Sequence, residues 1–300
     1  MGKYSFYPQF FIIGLQKCGT TALASYLQKH PDVLMSIPKE PHYFDTFYTE
    51  MNLNEYIRRC FGHRKNENIL GEATPFYLRV PWALERLARH FPHAKYIALL
   101  RNPIERAYSS WWMYYSRAME PFNFKEAIKL CLEQQEFAQM TEESWKKIMI
   151  ASRRGETIHY RPYLNDGYYA QCLNKFFQYF DAKQLLIIKT EEFNQDTASV
   201  MKEVYGFLGL DCREGESFEK YNEAYGSSAR RIFKLAKNAG LLRFTQSVPY
   251  SVRSRIKKTL SKMGDKKPAM DPEMRAWLAR HYAPYNLDLE KLLNRKFVWK

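Results

Sequence analysis

Residues Phe10 to Leu23, FFIIGLQKCGTTAL, constrain this chain more than any other stretch. Phe10 to Ile13 is a short apolar, partly β-branched run closed by Gly14, and the residues from Thr20 onward open a helical pattern. The segment therefore parses as strand, glycine-bounded loop and helix. Backbone N–H groups at a helix N-terminus lack intrahelical partners and carry the positive end of the helix dipole. A loop wrapped there is suited to a phosphate or sulfate group. Gly14 and Gly19 let the backbone come close to such a ligand, while Lys17, Thr20 and Thr21 add positive charge and hydroxyl donors.

The spacing is like that of a nucleotide-binding P-loop, with a decisive departure. The Walker pattern needs Lys-Ser/Thr after its second glycine, whereas Thr20-Thr21 follow Gly19 here and Lys17 precedes it by two residues. A standard NTPase loop is excluded. The surrounding composition suits a folded enzyme: of 300 residues, 46% are hydrophobic and 16% aromatic, enough for a buried core and against disorder. One domain spanning residues 1–300 is expected. The formal net charge of +14 favours an acidic ligand, a nucleic acid or an anionic surface over a neutral partner, without choosing among them. Cys18, Cys60, Cys131, Cys172 and Cys212 are widely spaced and form no C-x-x-C pair. They suggest neither a metal site nor a disulfide framework, and read as packing residues in a reducing compartment. No run approaches the roughly 18–20 apolar residues of a membrane span, and the first strand begins within about ten residues of the start. The expectation is a cytoplasmic protein without signal peptide or anchor, although a luminal domain cut from its anchor would have the same features.

Further strands are expected at Val33–Met35, Asn68–Gly71, Lys95–Leu100 and Gln184–Ile188, with helices at Thr20–Lys29, Asn52–Cys60, Pro81–Arg89, Ile104–Met119, Leu164–Phe180 and Thr197–Leu208. Helical cover with loops is expected from Pro121 to Arg154, a mobile basic segment from Tyr221 to Lys267, and a last helix from Asp271-Pro272 to near His281. Strands alternating with helices imply an α/β fold with a mainly parallel sheet flanked by helices. In such sheets ligands bind beyond the strand carboxyl ends. Two groups with anion chemistry follow strand ends: Gly14 to Thr21, and Arg101 with Ser109 on the next helix. The loop Lys39-Glu40-Pro41-His42-Tyr43-Phe44-Asp45 also follows a strand.

These segments together resemble the sulfotransferases that use 3′-phosphoadenosine 5′-phosphosulfate (PAPS), most closely the heparan-sulfate-type and related bacterial branch. GLQKCGTTAL resembles the family's 5′-phosphosulfate loop, LRNPIERAYSSWW its 3′-phosphate segment, and KEPHYFD the loop that carries a catalytic acid. GEATPFYL and the late MDPEMRAWLARHYAPYNLDLEKLL are similar to the same branch. The resemblance implies a P-loop-like fold and PAPS as co-substrate, with no metal. It assigns the bridging and leaving oxygens to Lys17, the 5′-phosphate to Gly19, Thr20 and Thr21, with Cys18 beside them in the cofactor-binding loop, and the 3′-phosphate to Arg101 and Ser109. It makes Glu40 the base. The residue types suit that chemistry: sulfuryl transfer needs a group to take the acceptor's proton, and a cation with amide donors where charge grows on the leaving phosphate. Glycan-modifying relatives often carry a lysine where Ala73 stands, and some a histidine where Met113 stands.

Plainer readings compete at several positions. A Lys-Glu pair beside prolines also describes an ordinary turn, and His42 reads as a packed or capping residue before it reads as a second acid/base group. Lys39 beside the base is placed to bind an acceptor or sulfonate oxygen, but neighbours on an extended loop point apart. Arg230 and Arg231 either form a solvated face or close over the 3′-phosphate. Trp111 and Trp112 are expected in the core. The expected function is sulfuryl transfer from PAPS to an acceptor hydroxyl or amine, releasing adenosine 3′,5′-bisphosphate. The acceptor is a small molecule, a glycan or a carrier-bound group, possible anionic character included. The alternatives are a P-loop kinase, which lacks its GK[ST] signature here, and a nucleic-acid-binding module, for which no motif is present.

Overall fold

The computed structural model describes residues 6–134, 140–212, 218, 227–238 and 267–299. Five strands form one parallel sheet: β1 (Phe10–Gly14), β2 (Val33–Met35), β3 (Ile69–Ala73), β4 (Lys95–Leu100) and β5 (Leu185–Lys189), in the order β2-β3-β1-β4-β5. β1 and β4 are near-continuous apolar runs because a parallel sheet is covered on both faces. Phe11 on β1 meets Phe44, Phe91 and Tyr96, and Tyr96 meets Phe176 and Phe180, so aromatic rings fill much of this core. The chain leaves β1 for partners on both sides, β3 and β4, and all five carboxyl ends emerge at one edge. That edge is where open α/β sheets hold their ligands.

The helices around these strands are α1 (Thr20–Leu27), α2 (Leu53–Phe61), α3 (Pro81–His90), α4 (Pro103–Ser116), α5 (Phe124–Glu133), α6 (Glu142–Arg153), α7 (Tyr169–Phe176), α8 (Thr190–Gln195), α9 (Thr197–Leu208), α10 (Ser227–Asn238) and α11 (Pro272–Leu293). Local signals explain many ends. Asn52 accepts from the Glu55 amide at the start of α2, Asn123 and Glu126 form a reciprocal capping box on α5, and Gly209 ends α9 in the left-handed conformation. Among the described residues no helix is long and apolar enough to cross a membrane.

The chain divides into two compact units. The first comprises residues 1–102, 168–220 and 285–300 and contains the whole sheet. The second, residues 103–167 and 221–284, is helical in its described parts. Its interior holds two ion-pair systems. Arg106 and Asp166, both fully buried, lie 3.6 Å apart. Buried Glu120 accepts from Arg161 Nε at 2.8 Å, Arg161 Nη2 at 3.2 Å and the Tyr163 hydroxyl at 3.0 Å. Burying that carboxylate is tolerable because several donors replace its water.

Four expectations need correction. Ser227–Asn238, inside the segment expected to be mobile, is helix α10, and the rest of that segment lies largely outside the described residues. The helix expected over Leu164–Phe180 is a 3₁₀ turn at Asn165–Gly167 followed by α7, with Tyr168 between them. The last helix runs past His281 and through Pro284 to Leu293, since proline lowers helix propensity without forbidding a helix that packing supports. Cys18, Cys60, Cys131 and Cys172 are buried as expected, but Cys212 is exposed.

Candidate active site

The loop between β1 and α1 has the geometry of an anion cradle. Gly14 has φ 131°, and a Cβ there would stand 2.9 Å from the Leu99 carbonyl oxygen, so only glycine lets β1 run this close to β4 at its end. Lys17 follows with φ 74° and Gly19 with φ 96°. These left-handed residues curl the chain back into α1, and Gly19 offers no side chain to cap the helix. Thr20 is buried in the first turn and Thr21 is half-buried. Cys18 is buried, and its carbonyl accepts from Thr190 Oγ1 at 2.6 Å.

Arg101 follows β4 and closes onto the same loop. Its Nη1 donates to the Lys17 carbonyl at 3.2 Å. The backbone around it is fixed at both sides: the Tyr169 hydroxyl donates to the Arg101 carbonyl at 2.6 Å, and the Asn102 amide donates to Glu191 Oε1 at 2.8 Å. Thr190 adds a second tie, donating also toward the Leu100 carbonyl at 3.0 Å. The structure thus brings Lys17, Cys18, Gly19, Thr20, Thr21 and Arg101 together at the carboxyl ends of β1 and β4.

The KEPHYFD loop leaves β2 at the same edge of the sheet. Glu40 and His42 have φ of 59° and 56°, so the alternation of an extended strand is broken there. For that reason Lys39 and Glu40 do not point apart as expected: Lys39 Nζ is ion-paired with Glu40 Oε1. Glu40 Oε2 lies 3.9 Å from His42 Nε2, and His42 Nδ1 is 2.8 Å from Asp45 Oδ2. His42 and Asp45 are both buried, whereas the Glu40 side chain is 36% exposed and so open to a substrate. A π-helical turn, Tyr43–Phe47, holds Asp45 back toward His42, with Trp82 Nε1 donating to the Asp45 carbonyl at 3.0 Å. The result is a row of groups, Lys39, Glu40, His42 and Asp45, able to accept and stabilise a proton.

Sequence reasoning missed Asp45, Glu72, Thr190, Tyr169 and Glu191 around this edge. The i, i+3 spacing of His42 and Asp45 was the available signal, but it carries information only if the segment turns helically. The other four depend on packing between distant parts of the chain.

The remaining predicted residues belong to the second unit. Ser109 is half-buried on α4, and Trp111 and Trp112 are core residues as expected, each 5% exposed. Arg230 on α10 lies with its guanidinium 3.7 Å over the Tyr115 ring and donates to the Tyr115 and Glu120 carbonyls, the latter at 3.0 Å. Arg231 is exposed. Among the described residues no group of three or more His, Cys, Asp or Glu could hold a metal ion.

Known proteins resemble this chain over nearly its whole length. It is 30% identical over 298 residues to mouse (Mus musculus) bifunctional heparan sulfate N-deacetylase/N-sulfotransferase 4, matching 96% of this chain and 30% of the relative. It is 28% identical over 297 residues to human heparan sulfate glucosamine 3-O-sulfotransferase 3B1, covering 97% of this chain and 65% of that protein. The chain therefore spans under a third of the first relative and just under two thirds of the second. Among solved structures, the sulfotransferase from Alicyclobacillus acidocaldarius shares the fold with a TM-score of 0.66 at 24% identity, over 97% of this chain and 98% of that one. The sulfotransferase domain family model matches residues 7–294, which include the cradle, the KEPHYFD loop and the Arg101 strand end, and the chain belongs to that family of sulfuryl-transferring enzymes.

Proposed function

We propose that the protein transfers a sulfuryl group from PAPS to an acceptor hydroxyl or amine and releases adenosine 3′,5′-bisphosphate, with residues 1–300 acting as one sulfotransferase domain. The observation that carries this reading is the left-handed Lys17 in the β1–α1 cradle, with Arg101 bound to its carbonyl. A cradle of backbone N–H groups at the start of α1 suits the 5′-phosphate, with Gly19, Thr20 and Thr21 donating and the Cys18 backbone completing the loop. The Lys17 ammonium offsets negative charge on the leaving phosphate oxygen. Arg101, whose fork has donors beyond the one on Lys17, takes the 3′-phosphate. Ser109, and Arg230 with Arg231, are assigned to the 3′-phosphate from their motif positions alone.

Glu40 takes the acceptor's proton as the acceptor oxygen or nitrogen attacks sulfur and the sulfur–oxygen bond to the phosphate breaks. Lys39 holds one oxygen of the Glu40 carboxylate in place, and His42 serves as the second acid/base group behind it. Glycans are the first acceptor class to examine, since both curated relatives are named for heparan sulfate. Ala73 and Met113 depart from positions that glycan-modifying enzymes use, so small hydroxyl and amine acceptors belong in the same panel. The location is proposed as cytoplasmic.

The test is single-turnover transfer from radiolabelled PAPS to a panel of desulfated glycans, small alcohols and amines. Labelled acceptor should form with wild type and fall sharply with Glu40→Gln. Labelled product formed equally well by Glu40→Gln would remove Glu40 as the base, and no transfer to any acceptor, with no bisphosphate binding, would remove the PAPS reading.

A further inference from the structure

Arg101 is the first residue past the paired positions of β4. Pairing with β1 ends at Gly14 and Leu99, pairing with β5 ends at Leu100 and Lys189, and α4 begins at Pro103. Contacts outside that register complete the restraint on the backbone that carries the guanidinium. One side chain meets both of its polar groups. The Tyr169 hydroxyl donates to the Arg101 carbonyl at 2.6 Å and accepts from the Arg101 amide at 3.4 Å. A hydroxyl can do both at once, since it has a donor hydrogen and acceptor lone pairs.

Tyr169 is itself firmly seated. It is 1% exposed in the first turn of α7, and Phe176, about two turns along the same face, packs on Tyr96 of β4 with ring centroids 5.1 Å apart. α7 thus meets β4 at Tyr96 and again at the strand end, through Arg101. The Trp299 ring packs on Tyr169 at 6.0 Å between centroids, and Trp299 Nε1 donates to Asn286 Oδ1 at 3.2 Å. A side chain held in this way gives Arg101 a fixed reference. Orientation matters for this residue because a guanidinium grips a phosphate through a planar fork of donors, which must be aimed to be used.

We propose that Tyr169 is a positioning residue for the 3′-phosphate: by holding the amide and the carbonyl of Arg101 it aims the guanidinium, and so sets how strongly the site prefers a nucleotide that carries this phosphate. The proposal rests on the assignment of Arg101 to the 3′-phosphate. The effect passes through Arg101, which separates it from a purely structural role. A residue that only supports the fold would weaken ligands with and without the 3′-phosphate alike.

The experiment is calorimetric titration with adenosine 3′,5′-bisphosphate and with adenosine 5′-phosphate, for wild type, Tyr169→Phe, Arg101→Ala and the double variant. Circular dichroism checks that each is folded. Tyr169→Phe should weaken the bisphosphate by about three- to tenfold, the change that corresponds to one hydrogen bond, and adenosine 5′-phosphate by less than about twofold. In the Arg101→Ala background the same substitution should alter bisphosphate binding by less than about twofold, because the group it aims is gone. Equal losses for the two ligands overturn the proposal, as does an undiminished loss in the Arg101→Ala background or an unchanged bisphosphate affinity in Tyr169→Phe. Should Tyr169→Phe fail to fold, Tyr169→3-fluorotyrosine retains the hydroxyl and places a fluorine resonance beside Arg101. That resonance should move on saturation with the bisphosphate and much less with adenosine 5′-phosphate, and equal movement overturns the proposal. The failures are distinguishable. A wild type that binds no bisphosphate removes the functional reading and this proposal with it. Arg101→Ala weakening both ligands alike removes the Arg101 assignment and, with it, the role of Tyr169. Selective loss of the bisphosphate in Arg101→Ala, without it in Tyr169→Phe, removes Tyr169 alone.

Discussion

Glu40 combines a left-handed backbone, a cation on one carboxylate oxygen and a buried imidazole 3.9 Å from the other, while staying partly open to solvent. Those are the properties of a base that must meet a substrate and keep its orientation. Glu40→Gln keeps shape and removes basicity, so turnover should fall by about 10² to 10⁴ with bisphosphate affinity nearly unchanged, measured by single-turnover transfer beside calorimetry. His42→Ala should reduce turnover less, but it leaves buried Asp45 unpaired and should cost about 1–3 kcal/mol of stability in denaturant unfolding. Arg101→Ala should weaken bisphosphate binding by about 1.5–3 kcal/mol, and much less for an analogue lacking the 3′-phosphate. Equal losses for the two ligands would place Arg101 away from that phosphate. At this scale the residues proposed to bind the anion stand out in the sequence because glycines, a lysine and hydroxyls cluster within one short loop. Glu72 and Thr190 were not, since a buried carboxyl and a threonine acquire meaning only from Tyr56, Tyr77 and the Cys18 carbonyl, which lie far from them in sequence.

The elements were more legible than their partners. Four of the five strands are short apolar runs beside a turn signal, as expected where a parallel sheet is covered on both faces, and only β3, with Gly71 and buried Glu72, departs from that pattern. The elements misjudged or not foreseen have compositions that point elsewhere. α10 is rich in Arg and Lys, α11 contains Pro284, and α8 is a six-residue turn of helix with weak periodicity of its own. Glycine positions give the sharpest test of the cradle's construction. Gly14→Ala combines an unfavourable φ of 131° with a contact of 2.9 Å to the Leu99 carbonyl and should destabilise the protein by about 1–3 kcal/mol. Gly206→Ala, within α9 and with nothing inside 4 Å of the added methyl, should instead stabilise it by about 0.4–1 kcal/mol. Chemical denaturation of the two variants checks both signs. A destabilised Gly206→Ala, or a neutral Gly14→Ala, would mean that the β1–β4 spacing or the α9 surface is not as described.

On the scale of the whole molecule, a net charge of +14 accords with the proposed co-substrate, which carries phosphates at two positions and a sulfate at one end. The family match spans parts of both compact units, so the sequence outside the cradle is sulfotransferase in character as well. The acceptor was illegible from the start because its recognition needs surfaces assembled from several loops, and no single motif reports them. The proposed nucleotide is different, since the residues assigned to its two phosphates lie in short motifs. Calorimetric titration of the wild-type protein with adenosine 3′,5′-bisphosphate, set beside ATP with magnesium, therefore tests the central claim most directly. The bisphosphate should bind in a saturable, single-site manner and raise the melting temperature with concentration, and ATP with magnesium should do so weakly. Saturable binding of ATP with magnesium, with none by the bisphosphate, would contradict the account.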